Sequence, residues 1–283
     1  MKILKVLSGS ILLYLLCFST STQLVSCQKD PLTDTLIVRD TVIIRDTLDC
    51  NCYDLTNGLV AWYNFNNGSL KDSSGNGNHI AFNNATKVPD RFGKPNGAYQ
   101  FNGTNNYMEV LNSSSLNPTG AITLAAVFKI KGYYSGLCRG NIIMAKTMYG
   151  DKENGFYQMG FTDNSCATSE HLNKYKFYGN HGDFYSGKIG GARPDSIFTQ
   201  TEQWYSVVYT QDNLISKLYI NGALKDSRTI PYHSFTPHSG SLYFGKFPDQ
   251  QYHYWFNGVI DDIKIYNRAL CDGEVKQLNR SKD

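Results

Sequence analysis

The sequence lacks a hydrophobic run long enough to span a membrane. Its N-terminal apolar stretch, from Val6 to Phe18, is shorter than the roughly 20 residues that a helix needs to cross a hydrocarbon layer of about 30 Å. Lys2 and Lys5 precede this stretch, which is the arrangement of a secretory signal peptide. We therefore predict an exported chain whose leader is removed.

The chain also lacks a strong charge of either sign. It has 27 Lys and Arg against 24 Asp and Glu, a net charge of +3, and loss of Lys2 and Lys5 with the leader lowers this to +1. A nearly neutral chain offers no electrostatic attraction for a polyanion. Nucleic acid is therefore not expected as a partner.

Sequence signatures of catalysis are missing as well. Retaining glycan-cleaving enzymes need two carboxyl groups about 5 to 5.5 Å apart, which acids at alternate positions of one strand can provide because such side chains share a face. Asp261 and Asp262 are adjacent in a predicted strand, so their side chains are expected on opposite faces. Gly-x-Ser-x-Gly, His-Glu-x-x-His and phosphate-loop patterns are also absent. We predict a protein that is not an enzyme, and an unfamiliar catalytic site is the alternative.

The composition favours strands and turns. There are 20 Tyr, 15 Phe and 25 Gly beside 8 Pro, and aromatic residues favour pleated surfaces while Gly supplies turns. Eleven apolar runs separated by turn signals exceed what one sheet usually holds, so two packed sheets are predicted. The runs are Leu59–Phe65, Ala98–Phe101, Tyr107–Val110, Ile122–Ile130, Ile142–Lys146, Gly155–Phe161, Lys174–Tyr178, Trp204–Thr210, Lys217–Ile220, Ser241–Gly245 and Phe256–Tyr266. The turn residues Asn221-Gly222 suit a type I′ hairpin, which predicts a further antiparallel strand after Lys217–Ile220.

The end of the leader resembles a bacterial lipobox. Leu24-Val25-Ser26-Cys27 predicts a lipoprotein signal peptide over residues 1–26 and lipidation of Cys27, which would anchor the chain through acyl groups alone. The following Gln28-Lys29-Asp30 resembles the export tag of surface lipoproteins in Bacteroidetes-type bacteria. We therefore predict an outer-membrane lipoprotein exposed at the cell surface. A plain secretory signal is the alternative.

Residues 27–56 are predicted to form the anchor and an extended stalk. A period-six repeat begins at Asp34, Asp40 and Asp46, and its β-branched residues favour extended chain that could reach roughly 100 Å. The simplest interpretation is a spacer. Alternatively, the repeats pair with copies in neighbouring molecules through an exposed edge, and each Asp-Thr-Leu or Asp-Thr-Val also resembles an O-glycosylation acceptor.

Five segments lie in order within residues 57–283: Gly58–Phe65, Asp72–Asn78, Tyr99–Gly103, Ile122–Leu124 and Ile260–Leu270. Together they resemble the laminin-G/concanavalin-A-like jelly-roll module of bacterial surface proteins. The resemblance implies an all-β, two-sheet antiparallel jelly-roll sandwich with a short C-terminal helix. It also implies binding of carbohydrate or a glycoprotein, or an adhesion role, although fold alone does not determine function.

Sugar binding on such a module commonly uses exposed aromatic rings flanked by polar groups. Two clusters are predicted in loops, and ordinary packing at strand edges is the alternative for both. Trp62 and Trp204 are expected in the core. The loop clusters are Tyr133 with Tyr134, and Tyr252 with Tyr254 and Trp255.

One structural calcium ion is a further possibility that the resemblance raises. Asp72 opens a loop rich in Gly and Asn, and Asp261 is expected to share a face with Ile263 and Ile265. A buried carboxylate needs a partner, which is either a cation or backbone donors. An Asx-turn at Asp72 is the alternative to a metal site.

Five of the seven cysteines remain after the leader and the lipidated Cys27 are set aside, and an exported protein can oxidise them. The resembling family usually has Ser as helix cap where this chain has Cys271, and its first and last strands lie side by side. These two points predict Cys52–Cys271, with Cys50–Cys271 as alternative, and Cys138–Cys166 as a second bridge. Free or mispaired thiols are the remaining alternative.

Overall fold

The protein is described by a computed structural model that covers residues 54–136, 139–146, 157–163, 174–181, 190–192, 199–230, 237, 239–249 and 252–280. The chain divides into two units, Met1–Arg45 and Asp46–Asp283, and every described residue belongs to the second. The predicted signal peptide, Cys27 and the stalk up to residue 53 lie outside the described residues. No helix within the described ranges is long and apolar enough to cross a membrane.

Strands dominate the described part of the chain, and all eleven predicted strands are present with small changes of their ends. The short strands Ile80–Asn83, Thr86–Val88 and Gly190–Ala192 were not predicted, and Ala223–Thr229 was expected only as the third strand that follows the Asn221-Gly222 turn. The elements are β1 (Leu59–Tyr63), β2 (Ile80–Asn83), β3 (Thr86–Val88), β4 (Ala98–Asn102), β5 (Met108–Val110), β6 (Ile122–Gly132), β7 (Asn141–Lys146), β8 (Tyr157–Thr162), β9 (Lys176–His181), β10 (Gly190–Ala192), β11 (Trp204–Gln211), β12 (Ile215–Ile220), β13 (Ala223–Thr229), β14 (Leu242–Phe244), β15 (Asn257–Tyr266) and α1 (Asp272–Arg280).

The strands form two antiparallel sheets, which confirms the predicted jelly-roll sandwich. The larger sheet has the order β13-β12-β11-β6-β15-β4-β3, and β1 also pairs with β15. The smaller sheet has the order β10-β9-β8-β7-β14-β5-β2. The first and last strands therefore lie side by side, as the resemblance implied.

The core lies between the two sheets and is rich in aromatic rings. Phe128 on β6 and Phe177 on β9 meet edge to face at 5.7 Å, and Phe256 joins them at 6.0 Å from Phe128. All three rings are fully buried. Helix α1 covers part of the outer face of the larger sheet, where Val275 packs with Tyr219 and Tyr266 in a smaller apolar cluster.

The predicted hairpin is present, and the turn residues explain it. Asn221 and Gly222 both have positive φ, 52° and 77°, which a type I′ turn requires. β12 pairs antiparallel with both β11 and β13, so three consecutive strands form, as predicted.

The prediction that Trp62 and Trp204 are core residues is wrong. Both are partly exposed, because the neighbouring Tyr63 and Tyr205 occupy the core-facing positions and strand side chains alternate. Lys264 lies over the Trp62 ring at 4.6 Å, and Lys129 lies over the Trp204 ring at 5.4 Å. The two tryptophans therefore cover the outside of the larger sheet.

Candidate functional site

Three neighbouring strands of the smaller sheet place one outward side chain each in a single row. In the pairing register Glu109 of β5 lies beside Phe82 of β2 and beside Tyr243 of β14. The residues on either side of Glu109 and Tyr243 along these strands are buried in the core. Because side chains alternate along a strand, Glu109 and Tyr243 must lie on the outer face. Phe82 is 41% exposed.

Two further rings extend this row into a continuous surface. Tyr107 stacks on Phe82 with ring centroids 4.7 Å apart, and it lies 6.1 Å from Tyr243 and 6.3 Å from Trp255. We call Phe82, Tyr107, Tyr243 and Trp255 the aromatic face. Flat, partly exposed rings on one surface can stack against the apolar face of a ligand ring.

Two hydrogen bonds between the Tyr107 backbone and Asn84 hold Tyr107 in place. The amide of Tyr107 donates to Asn84 Oδ1 at 2.7 Å, and the amide of Asn84 donates to the Tyr107 carbonyl at 3.3 Å. Asn106 Nδ2 also donates to the Asn84 carbonyl at 2.8 Å. These bonds continue the pairing of β2 and β5 beyond the strand ends and fix the Tyr107 ring against Phe82.

Trp255 is positioned by the segment between β14 and β15, which begins with a glycine turn. Gly245 has φ 83°, and a Cβ there would meet the Phe101 ring at 2.3 Å, so only glycine fits. Two backbone hydrogen bonds join the two arms of the segment. The Phe256 amide donates to the Gly245 carbonyl at 2.9 Å, and the Phe247 amide donates to the His253 carbonyl at 2.6 Å. Lys246 and Trp255 thereby reach the same surface.

The polar groups of the aromatic face are Glu109, Lys246 and His253. The Tyr243 hydroxyl donates to Glu109 Oε1 at 3.0 Å. Burial is the main cause, and this hydrogen bond the second cause, that raises the pKa of Tyr243 to about 12. Lys246 Nζ lies 3.8 Å from the Tyr107 centroid and 4.6 Å from the Tyr243 centroid. Burial lowers the pKa of Lys246. His253 packs against Trp255 at 5.0 Å.

The predicted ligand residues divide between two places. Trp255 belongs to the aromatic face. Tyr134 meets Tyr254 edge to face at 6.1 Å, and Tyr252 stacks on Tyr254 at 6.2 Å, so these three form a second cluster, the tyrosine rim. The rim adjoins the aromatic face through the peptide bond between Tyr254 and Trp255.

Tyr133 belongs to neither cluster. Its ring stacks on Tyr175 with centroids 3.9 Å apart and packs edge to face on Phe161. Its hydroxyl donates to the Thr199 carbonyl at 3.3 Å, and the side chain is packed against the main core. This is the packing arrangement that the sequence left open.

Asp72 is surrounded by hydrogen-bond donors of the protein. Its Oδ1 accepts from the amides of Trp62 and Ser74 at 2.9 and 2.8 Å. Its Oδ2 accepts from the Ser74 hydroxyl and the Asn78 amide at 2.8 and 3.0 Å. The carboxylate ties the 72–78 loop to β1 through backbone donors, as in the Asx-turn alternative.

Asp261 is buried as predicted, but its partner is a cation of the protein. Arg91 Nη1 lies 2.8 Å from Asp261 Oδ2, and the Arg91 amide donates to the same oxygen at 3.1 Å. Burial outweighs the pull of Arg91 and raises the pKa of Asp261 to about 6.

A β-bulge corrects the expectation that Asp261 and Asp262 face apart. The register of β15 against β6 shifts between Ile260 and Asp262, and a bulge disturbs the alternation of side chains. Arg91 Nη2 consequently lies 4.0 Å from Asp262 while Nη1 contacts Asp261.

Asp72 and Asp261 do not fit a calcium site in this arrangement. Calcium takes six to eight oxygen ligands, whereas both Asp72 oxygens are occupied by donors and Asp261 faces a guanidinium. Among the described residues, no three His, Cys, Asp or Glu side chains are grouped as metal ligands. Calcium binding by the chain stays a prediction, which a chelation experiment can test.

Cys271 is disulfide-bonded, and it is the only cysteine among the residues that the structure describes. Its partner, and the predicted Cys138–Cys166 bridge, therefore fall outside those residues. The Cys271 amide donates to Glu274 Oε2 at 2.9 Å, which is half of a capping box at the start of α1.

Five residues of this surface were not predicted from the sequence: Phe82, Tyr107, Glu109, Tyr243 and Lys246. One signal was available: Met108-Glu109-Val110 and Leu242-Tyr243-Phe244 each place one polar or amphipathic residue between two apolar ones, which marks an outward position. Nothing in the sequence shows that β5 and β14 are neighbours, because they are more than 130 residues apart.

A family model described as the concanavalin A-like lectin/glucanases superfamily, Laminin_G_3, matches residues 102–276, which is more than half of the chain. No curated protein matches the sequence.

Several solved structures share the fold at low sequence identity. The binding domain of Paraclostridial Mosquitocidal Protein 1 is 19% identical with a TM-score of 0.60, and the match covers 80% of this chain and 52% of that one. The binding domain of Botulinum Neurotoxin DC in complex with SialylT is 15% identical with a TM-score of 0.59, over 80% and 52% of the two chains. This chain thus spans about half the length of these toxin domains.

A third structure is matched over nearly its whole length. Domain 4 of AbnA, a GH43 extracellular arabinanase from Geobacillus stearothermophilus, in complex with arabinotriose, is 20% identical with a TM-score of 0.54. The match covers 78% of this chain and 98% of that domain. At these identities the likeness shows the fold.

Proposed function

Because the chain belongs to the concanavalin A-like lectin/glucanases superfamily, we propose that it is a non-catalytic module that binds glycans, or a partner that carries them, through the aromatic face. The observation that carries this proposal is the grouping of Phe82, Tyr107, Tyr243 and Trp255 on one outer surface. Such rings match the C–H faces of pyranoses, and Glu109 and Lys246 supply partners for hydroxyl groups. The structural neighbours that are binding domains support carbohydrate binding in general.

The placement of carboxylates supports a non-catalytic role. Glycoside hydrolases of the usual type need two carboxyl groups that flank the scissile bond. In the described part of the chain, Glu109 is the carboxylate that contacts the aromatic face, and the Tyr243 hydroxyl already occupies it. Asp261 and Asp262 lie on the larger sheet and share Arg91.

The proposed location is the outer membrane, exposed at the cell surface and held by a lipid on Cys27. This part of the proposal depends on the lipobox-like residues 24–27 and on the stalk. A Cys27→Ala variant should appear in the soluble fraction, and mass spectrometry should find the acyl groups on the wild-type N-terminus alone. A membrane-bound Cys27→Ala protein would contradict the anchor.

The binding role is tested with the chain from residue 28 to 283 on a glycan array and on insoluble polysaccharides. Phe82→Ala and Trp255→Ala should each weaken binding about tenfold or more, since a stacked ring contributes on the order of 1.4 kcal/mol or more. The matched control is Phe92→Ala. Phe92 is also exposed, at 49%, but its ring packs against Arg91 and does not belong to the aromatic face. Folded wild-type protein that binds no glycan, or Phe82→Ala and Trp255→Ala variants that bind normally, would overturn the proposal.

The period-six repeat favours a second candidate function, an adhesion or assembly subunit whose stalk oligomerises. Sedimentation of the chain with and without residues 28–56 distinguishes the two functions. Oligomers that depend on the stalk support assembly, whereas a monomer in both forms supports the glycan-binding module.

A further inference from the structure

Lys246 differs from Lys264 and Lys129, which also lie over aromatic rings. Lys264 covers Trp62 and has Asp262 at 3.8 Å, and Lys129 covers Trp204 and has Glu202 at 3.8 Å. In both cases a carboxylate of the protein accompanies the cation. Both pairs lie on the larger sheet, away from the aromatic face.

Lys246 has no such carboxylate within the described part of the chain. Its ammonium group lies over Tyr107 and Tyr243, and none of the ion pairs within 4.0 Å among these residues includes it. The nearby Glu109 raises the pKa of Lys246 through space, but its Oε1 accepts the Tyr243 hydroxyl. Among the described residues, the cation is therefore partly desolvated over two rings without a contacting counter-charge.

A desolvated cation without a partner is an unfavourable arrangement for the free protein. Burial lowers the pKa of Lys246, because removing a charge from water costs free energy unless an opposite charge replaces the lost hydration. An anionic ligand would restore that interaction as a charge-assisted hydrogen bond, which is stronger than a bond between neutral groups.

A second polar atom of the same surface has no hydrogen-bond partner in the part of the chain that the structure describes. His253 Nδ1 is buried and makes no hydrogen bond with any described residue, and its ring packs on Trp255 of the aromatic face. Lys246 and His253 flank the rings on the two arms of the 245–256 segment. A ligand that carries both a flat sugar ring and acidic oxygens would satisfy the rings and the Lys246 ammonium group together.

We propose that the aromatic face binds an acidic saccharide, with a uronic acid ring stacked on the aromatic side chains and its carboxylate against Lys246. This inference rests on the proposed glycan binding and deepens it, because it names the chemical class of the sugar. A sulfated sugar would use the same cation, and the experiment separates it from a uronic acid.

The experiment compares each acidic polysaccharide with its own neutral form. The probes are polygalacturonate, alginate and hyaluronan, each paired with a carboxyl-reduced preparation, and a sulfated neutral galactan is the arm for sulfate. We expect wild-type protein to bind at least one uronate polymer about tenfold or more tightly than its reduced form. This is the difference that a charged hydrogen bond of about 1.5 kcal/mol produces. Binding should also weaken as salt increases.

Lys246→Met should remove the preference for the acidic polysaccharide over its carboxyl-reduced form. Phe82→Ala should instead weaken binding of the acidic and the reduced polysaccharide alike. Met is chosen because it keeps the unbranched apolar part of the lysine side chain. Lys264→Met is the matched control, because Lys264 also lies over an aromatic ring but on the larger sheet. Neutral and acidic forms that bind equally, or a Lys246→Met variant that keeps the preference, would overturn the acidic ligand and leave glycan binding intact. Preference for the sulfated galactan over every uronate would also overturn it. Absence of binding to any saccharide would contradict both proposals.

Discussion

Arg91 Nη1 and Asp261 Oδ2 form an ion pair of 2.8 Å that joins the loop after β3 to the bulge in β15. The Arg91 amide donates to the same carboxylate, and the other end of the guanidinium faces Asp262, which also lies near Lys264. Trp62 Nε1 donates to Asp262 Oδ1 at 3.0 Å. The first and last strands are thus connected by a buried charged network outside the core.

The Asp261 carboxyl group should make stability depend on pH in an unusual direction. Its pKa rises from 3.8 to about 6 through burial, so the folded chain holds this proton more tightly than the unfolded chain does. The contribution to the free energy of unfolding is therefore fully present below pH 3.8 and is lost as pH rises through 6. A shift of this size corresponds to about 3 kcal/mol.

Urea unfolding of wild type and Asp261→Asn at pH 4.5 and pH 7 measures this effect. The free energy of wild type minus that of the variant should increase toward pH 4.5, because Asn cannot titrate. Glu202→Gln is the control, since Glu202 has a largely exposed side chain. A difference that is constant, or that grows toward pH 7, would contradict the raised pKa.

Removal of calcium should leave the melting temperature unchanged if the carboxylates of Asp72 and Asp261 act only through protein partners. Excess chelator followed by added calcium is the measurement, with magnesium as the control ion. A melt that falls in chelator and recovers with calcium would instead show a structural ion. Its expected size would be about 2.7 kcal/mol at a hundredfold excess of free ion over the dissociation constant.

Cys52 is expected to be the partner of Cys271. Arg268 Nη2 donates to the Asp54 carbonyl at 3.0 Å and pairs with Glu274 at 2.7 Å, and Glu274 accepts the Cys271 amide. Asp54 and Cys271 therefore contact the same ion pair. Cys52 precedes Asp54 by two residues, a reach of at most about 7 Å.

Non-reducing peptide mapping identifies the partner, and Cys50 is the alternative. Cys52→Ser and Cys271→Ser should destabilise the protein by similar amounts, up to about 5 kcal/mol on the chain-entropy model, while Cys50→Ser should have little effect. The loss for Cys271→Ser is partly offset by the helix cap that Ser restores, about 1 kcal/mol. A peptide map with Cys271 joined to Cys50 would decide for the alternative.

Asn180 on β9 offers a stabilising substitution. Its side chain is 2% exposed, and neither its Nδ2 nor its Oδ1 has a hydrogen-bond partner in the described structure. Asn180→Val loses no hydrogen bond and adds a β-branched residue to a strand, so we expect a gain of about 1 kcal/mol.

The matched control is Asn141→Val. Asn141 is equally buried, but its Oδ1 accepts the Tyr134 amide at 2.8 Å and its Nδ2 donates to the Arg139 carbonyl at 2.9 Å. This change leaves two groups without partners and should cost about 1 to 3 kcal/mol. Thermal and urea unfolding of both variants provide the comparison, and a destabilised Asn180→Val would show that its amide has a partner such as bound water.

Local patterns were sufficient for strands that alternate between core and surface. The second half of β6 and the start of β11 alternate between buried and more exposed side chains, and Asn221-Gly222 has the positive φ that its turn requires. β3 and β13 are almost wholly exposed, so they bury too little apolar surface to leave a hydrophobic pattern. They are strands because β4 and β12 supply hydrogen-bond partners.

The tryptophans show why a motif match is weaker than alternation. Trp62 lies within a family-like segment, and the match suggested a core position. Its neighbour Tyr63 is fully buried, and two successive strand residues point to opposite faces. Trp62 does lie in a strand, as its segment predicted. The register of β1 against β15 decided which face of the sheet its side chain covers.

The sequence by itself determined the two-sheet class and most strand positions, because these depend on residues close together in the chain. Only the tertiary structure decided which aromatic residues share a surface. Phe82, Tyr107, Tyr243 and Trp255 come from segments far apart, and the order of β2, β5 and β14 in the sheet brings them together. Strand order depends on the combined burial of both sheets, which no local pattern encodes.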